Sequence, residues 1–138
     1  MVDNASDIEL KYNITKEIVT NTVRLRLLSN GVVHYTYLPD SVVSEVEHQQ
    51  NHNALVQFSI SGEKLPVLID ANDFINLTPQ ARKLIRELEA IVPISKRALV
   101  IRSFSQRLLS NFYIKYHKPI VSTKIFESYE DAIKWLLS

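Results

Sequence analysis

Residues 65–84, LPVLIDANDFINLTPQARKL, decide the fold. The first six, Leu65 to Asp70, are almost wholly apolar, so an extended chain here is apolar on both faces. That is the pattern of a central strand covered on both sides and running parallel to a neighbour. A loop from Ala71 to Leu77 follows. Thr78-Pro79 is then a helix start: the threonine hydroxyl caps, and proline, which has no N–H to satisfy, occupies the first turn. Ala81, Leu84, Ile85 and Leu88 recur on one face, with Arg82, Lys83, Arg86, Glu87 and Glu89 mostly outside it.

The same alternation continues towards the C-terminus. RALVIRS at 97–103 reads as another buried strand, and Ser103 caps a helix on which Phe104, Leu108, Phe112 and Tyr116 recur every four residues. Lys118-Pro119 breaks that helix. IVSTKIF at 120–126 alternates as a strand, and Ser128 with Asp131 approximates a capping box before a last helix with Ile133, Leu136 and Leu137 inward.

Towards the N-terminus, TVRLRLL (22–28), the turn SNG (29–31) and VVHYTYL (32–38) form a hairpin signal: period-two alternation joined by Asn30-Gly31, which tolerate positive φ. Pro39 and Asp40 stop the second strand, and Asp40 or Ser41 caps a helix from Val42 to about Phe58, with Val42, Val43, Val46, Asn53 and Val56 at roughly helical spacing. Residues 1–20 are the least committed segment, in which Ile8, Leu10 and Tyr12 alternate as a short edge strand does. Residues 21–138 read as a single domain. The element order predicts an α/β fold: an open mixed sheet of four to five strands with about four helices.

Composition narrows the function classes. The 138 residues carry 16 Lys+Arg against 15 Asp+Glu, 46% hydrophobic side chains, no cysteine and two glycines. One globular domain is expected. Without cysteine there is no disulfide, thiolate metal site or cysteine nucleophile, and a reducing, cytoplasmic setting is the expectation. No stretch has the roughly 18 apolar residues of a membrane span, and the polar, acidic start lacks the pattern of a secretory signal. Gly31 and Gly62 stand too far apart for a dinucleotide or Walker-type phosphate loop.

The strand ending in Asp70, the Thr-Pro-x-Ala-Arg helix start, the Ser-Asn-Phe helix, the Lys-Pro turn and the Phe126 to Leu136 pattern resemble the STAS/SpoIIAA-like superfamily, within it the small uncharacterised bacterial SpoIIAA-like proteins. The resemblance covers the last two thirds of the chain. It implies a non-enzymatic regulatory or protein-interaction domain, in line with STAS domains acting as anti-sigma-factor antagonists and in signalling assemblies. It also implies an alternative, since the similarly folded CRAL-TRIO domains transfer lipids: a carrier or sensor of a lipid-like or other apolar anionic molecule. The phosphorylated antagonists have an Asp-Ser-Ser-Gly-like tetrapeptide at the start of the helix after the central strand. Here Asn76-Leu77-Thr78-Pro79-Gln80 stands there, so Thr78 lies at or near the phospho-acceptor position while the serine pair and glycine are missing.

Two groups of candidate residues follow. Thr78, Asp70, Asp73 and Arg82 form a candidate phospho-acceptor or partner-binding surface, although an N-cap role for Thr78 and loop-amide roles for the aspartates are the simpler uses of these residue types. Arg107, Leu109, Tyr113, Lys115 and Tyr116 form a candidate ligand pocket or subunit interface on the aromatic helix. Residues 90–126 hold seven basic residues and no acid, a basic third suited to an acidic protein surface or an anionic headgroup. The near-zero net charge and acidic first half oppose nucleic-acid binding. His48 and His52 have the one-turn spacing of a metal pair, but Gln49 stands where a catalytic glutamate would, and an exposed polar face fits them better. No metal, cofactor or catalytic residue is assigned. A protein partner and a homodimer are the expected associations, and an enzyme is the least favoured reading.

Overall fold

The computed structural model describes residues 11–70 and 76–138, apart from the side chains of 109, 112, 113, 116 and 117. Its main sheet has six strands in the order β1-β2-β3-β5-β7-β8. They are β1 (Ile14–Val19), β2 (Val23–Leu28), β3 (Val33–Tyr37), β5 (Leu65–Asp70), β7 (Ile94–Val100) and β8 (Ser122–Phe126). β4 (Val42–Val43) and β6 (Asn76–Leu77) form a separate parallel pair. Four helices lie among the described residues: α1 (Glu45–Phe58), α2 (Pro79–Leu88), α3 (Phe104–His117) and α4 (Tyr129–Leu136).

β1, β2 and β3 are antiparallel neighbours, while β3, β5, β7 and β8 run parallel, each pair joined through a helix. The apolar run Leu65–Asp70 is central, as its two-sided hydrophobicity requires. The hairpin turns at Gly31, whose φ of +90° strains any side chain, and Asn30 Oδ1 accepts from the Val32 amide at 3.0 Å.

The sheet exceeds the expected four to five strands because residues 14–19 add an edge strand. With one face in water and charged Lys16 and Glu17 between its apolar residues, β1 carries little hydrophobic signal. Ile8 and Leu10, where the alternation suggests an edge strand, lie outside the described residues. The helix expected from Val42 begins at Glu45 with Ser44 at the N-cap, because Val42 and Val43 pair with Asn76 and Leu77. Its buried face is also different: Asn51, His52, Ala54, Leu55 and Phe58 point inward, whereas Val46 and Val56 are exposed.

Each sheet face has its own core. On one, Val23, Leu25, Val33, Tyr35, Tyr37 and Val67 pack with Ala54, Leu55 and Phe58 of α1 and Ala81 of α2. On the other, Leu68, Ala98 and Val100 pack with Tyr129, Ala132, Ile133 and Leu136 of α4. Alternate side chains of one strand thus serve different helices, the consequence of a period of two.

Local caps hold the helices as their residues predict. Thr78 Oγ1 accepts from the Ala81 amide at 3.1 Å, Ser103 Oγ from Gln106 at 3.4 Å and Ser128 Oγ from Asp131 at 3.1 Å. Thr78→Ala is expected to lower stability by about 1 kcal/mol, read from urea unfolding, because one amide of the α2 first turn loses its acceptor.

Candidate functional site

The two core faces are unequally filled. On β5 and β7, Leu68 and Ala98 are fully buried under α4, but their strand neighbours Ile69 and Leu99, paired with each other in register, are only partly buried. These two sit in the middle of a six-stranded sheet, so it is missing cover on their own face that leaves them open. A cavity of about 360 Å³ lies there, floored by β3, β5 and β7 and walled by α1 and α2. Its volume falls in the range of small-molecule sites, roughly 300–1,000 Å³.

Most of the wall is apolar: Leu55, Val67, Ile69, Leu77, Ile85, Leu88, Val92, Ile94 and Leu99 contribute. Polar groups enter from four elements. His48, Asn51 and His52 come from α1, Tyr35 and Tyr37 from β3, and Arg97 from β7 faces Glu89 at the end of α2. The exposed Arg82 and Arg86 mark where the cavity meets the surface.

The polar groups differ in how far they are satisfied. Asn51 is fully engaged: its Nδ2 donates to Thr22 Oγ1 at 2.9 Å, and its Oδ1 accepts from Thr20 Oγ1 at 2.6 Å. Arg97 and Glu89 form a two-point ion pair, Nη2 to Oε1 at 2.6 Å and Nη1 to Oε2 at 3.2 Å, with side chains only 14% and 10% exposed. Glu89 also accepts from the Val121 amide at 3.3 Å. By contrast, His48 Nδ1 is buried with no hydrogen-bond partner among the described residues. Burial, then the neighbouring His52 and Arg97, push His48 down to about 4, and burial lowers His52 as well. Both are therefore neutral imidazoles at pH 7.

The opposite face carries a second polar cluster. Tyr129 at the start of α4 donates its hydroxyl to Asp70 Oδ2, and Arg102 lies over the Tyr129 ring at 5.4 Å. His34 Nε2 sits 3.2 Å from Thr36 Oγ1 and 3.9 Å from Asp70 Oδ2. Burial pushes His34 down from 6.5 to about 4, against the opposing pull of Asp70. Because the folded pKa lies below the unfolded one, the unfolded chain takes up the proton first, and stability falls as pH drops from about 6.5 towards 4. The loss between pH 7.5 and 5 is expected to be about 2 kcal/mol from His34 alone. Urea midpoints across that range check it, and His34→Gln flattens the slope.

The structure separates the first group of candidate residues. Asp70 turns to α4, Thr78 caps α2 on the other face, and Arg82 donates to the Leu77 carbonyl at 2.9 Å at the cavity mouth. Asp73 lies outside the described residues. The second group all belongs to α3. Arg107 pairs with Glu127 and Lys115 is exposed, while the side chains of Leu109, Tyr113 and Tyr116 lie outside the described residues. The described α3 side chains do not line the cavity; the open space lies against α1 and α2. His48 and His52 do share one face, but it looks into the cavity rather than into water. Among the described residues no cluster of three or more metal-ligating side chains accompanies them.

The family model for the domain of unknown function DUF7793 matches residues 25–138. The chain belongs to the DUF7793 family. Its fold is SpoIIAA-like: the chain superposes on an uncharacterized protein of the DUF3478 family with a SpoIIAA-like fold from Shewanella loihica PV-4, with a TM-score of 0.56 and 15% identity, covering 99% of this chain and 98% of that one. The resemblance read from the sequence therefore holds at the level of fold. No curated protein matches the sequence. Among the described residues of this DUF7793 chain, no helix is long and apolar enough to cross a membrane.

Nothing in the sequence marks Ile69, Leu99, His48 and His52 as one site. The signal available was the histidine pair itself, on a helix face that its neighbours make look polar.

Proposed function

We propose that this DUF7793 domain is a non-enzymatic carrier or sensor that holds a small, largely apolar molecule between its sheet and helices α1 and α2. One observation carries the reading: Ile69 and Leu99, at the centre of the sheet, are left partly open over a 360 Å³ apolar cavity, whereas Leu68 and Ala98 on the reverse are fully covered. Protein interiors are otherwise close-packed, and an apolar void forfeits dispersion contacts unless something fills it. Among the described residues, the lining offers a few hydrogen-bonding groups set in an apolar wall, the make-up of a site that orients a largely apolar ligand.

Native mass spectrometry of the protein from its own cells, followed by denaturing mass determination, tests this reading. A small-molecule mass that leaves on denaturation is the expected result. A bare chain bound stoichiometrically to another protein overturns it in favour of a regulatory interaction domain. That second reading is supported by Phe104 and Leu108, one turn apart on α3 and 67% and 55% exposed, an apolar surface suited to a partner.

A further inference from the structure

Resting on the cavity reading, we propose that the ligand is an apolar monocarboxylate, its carboxylate seated at the polar corner formed by His48, His52 and Arg97. The charge inventory of the lining leads there. Three guanidiniums, of Arg82, Arg86 and Arg97, border the cavity against one carboxylate, Glu89. Glu89 is spent on Arg97 and on the Val121 amide. Among the described residues no carboxylate lies within ion-pair distance of Arg82 or Arg86. A cation entering the mouth therefore meets net positive charge, and an anion is drawn in.

The corner itself has spare donors. Arg97 places three of its N–H groups on Glu89 and Thr123, which leaves two of a guanidinium's five. His48 Nδ1 is buried without a partner, and His52, nine-tenths buried, has no hydrogen bond among the described residues. A buried polar atom left unpaired costs stability, so a ligand oxygen arriving there removes a penalty as well as adding a bond. The rest of the wall excludes a compact polar ion and fits a hydrocarbon or aromatic body. The 360 Å³ volume lies at the small end of the range for small-molecule sites, roughly 300–1,000 Å³, which suits a short-bodied ligand.

A bound carboxylate favours the protonated form of any imidazole beside it. The titratable and charged groups facing His48 and His52 are Tyr35 and Tyr37 from β3, Arg97 from β7, and Arg82, Arg86 and Glu89 from α2. Burial raises both tyrosines, so they stay neutral near pH 7. The histidines are thus the groups that change charge on binding. Affinity for a carboxylate is expected to rise as pH falls from 8 to 6, most steeply at the low end of that range, because the bound anion raises the histidines towards protonation.

The test is isothermal titration of the full chain with decanoate, decanol and decylamine at pH 8 and pH 6. Decanoate binding at least tenfold tighter than either analogue, and tighter at pH 6, is expected. The double variant His48→Gln with His52→Gln should weaken decanoate binding at both pH values and lose its gain at pH 6. In case that variant does not fold, Arg86→Ala at the exposed rim should weaken decanoate several-fold and leave decanol unchanged. Decanol binding as tightly as decanoate overturns the carboxylate assignment, as does absence of binding by all three. The cavity reading stands or falls separately, on the native mass of the protein from its cells.

Discussion

Glu89→Leu should lower the stability of the domain by about 3–5 kcal/mol, the cost of stripping a mostly buried charge of its partner. Glu89 sits at the C-terminal end of α2 and receives both Nη groups of Arg97 from β7, together with the amide of Val121 before β8. Losing the carboxylate leaves the mostly buried Arg97 guanidinium with only its long bond to Thr123 Oγ1 and the Val121 amide without its acceptor. The paired replacement Glu89→Leu with Arg97→Met should recover most of that loss, because apolar side chains of similar size avoid the desolvation of two charges. Urea unfolding of wild type, single and double variants at unchanged m-value is the measurement. A single variant as stable as wild type would mean that the pair does not hold α2 to the sheet.

Adjacent residues of β5 should respond oppositely to tryptophan. Ile69→Trp directs the larger ring into the cavity, where there is room, and should fold with little loss while excluding any molecule held there. Leu68→Trp meets a filled core of Ala98, Ala132 and Ile133 and should be destabilised by about 1–3 kcal/mol or fail to fold. Native mass spectrometry of Ile69→Trp from cells, beside thermal melts of both variants, reads the two effects. Equal destabilisation would show that the space over Ile69 is not available to a ligand. A copurifying mass retained by a well-folded Ile69→Trp would place that ligand elsewhere.

The contrast between Leu68 and Ile69 also bears on stability. A ligand that fills the cavity stabilises the folded chain by mass action, by about 2.7 kcal/mol at a hundredfold excess over Kd. It does so by tying α1 and α2 to the same strands. Arg82, in the first turn of α2, lines the cavity and donates to the Leu77 carbonyl. Phosphate on Thr78 would have to displace the cap that its hydroxyl makes to Ala81.

What the sequence determined by itself was whatever depends on neighbours along the chain. Asn30-Gly31 specifies the hairpin turn, and Leu65–Asp70 specifies a strand covered on both sides. Thr78-Pro79, Ser103 and Ser128 start three helices, since a cap needs only an amide two or three residues away. The alternation of strands and helices then restricts the topology to a parallel-centred sheet, while the fold resemblance rests on the motifs between Asp70 and Leu136. β1 escaped because an edge strand with one wet face needs little hydrophobic patterning. The buried face of α1 escaped because it is lined by Asn51 and His52, whose burial is made acceptable by Thr20, Thr22 and an open cavity rather than by hydrophobicity. Only the tertiary structure decided the site. A cavity is a shortfall of packing between side chains from β3, α1, β5, α2 and β7, and the pairing of Arg97 with Glu89 sets its charge. Neither leaves a period or a spacing in the sequence, because each depends on distances across the sheet rather than along the chain.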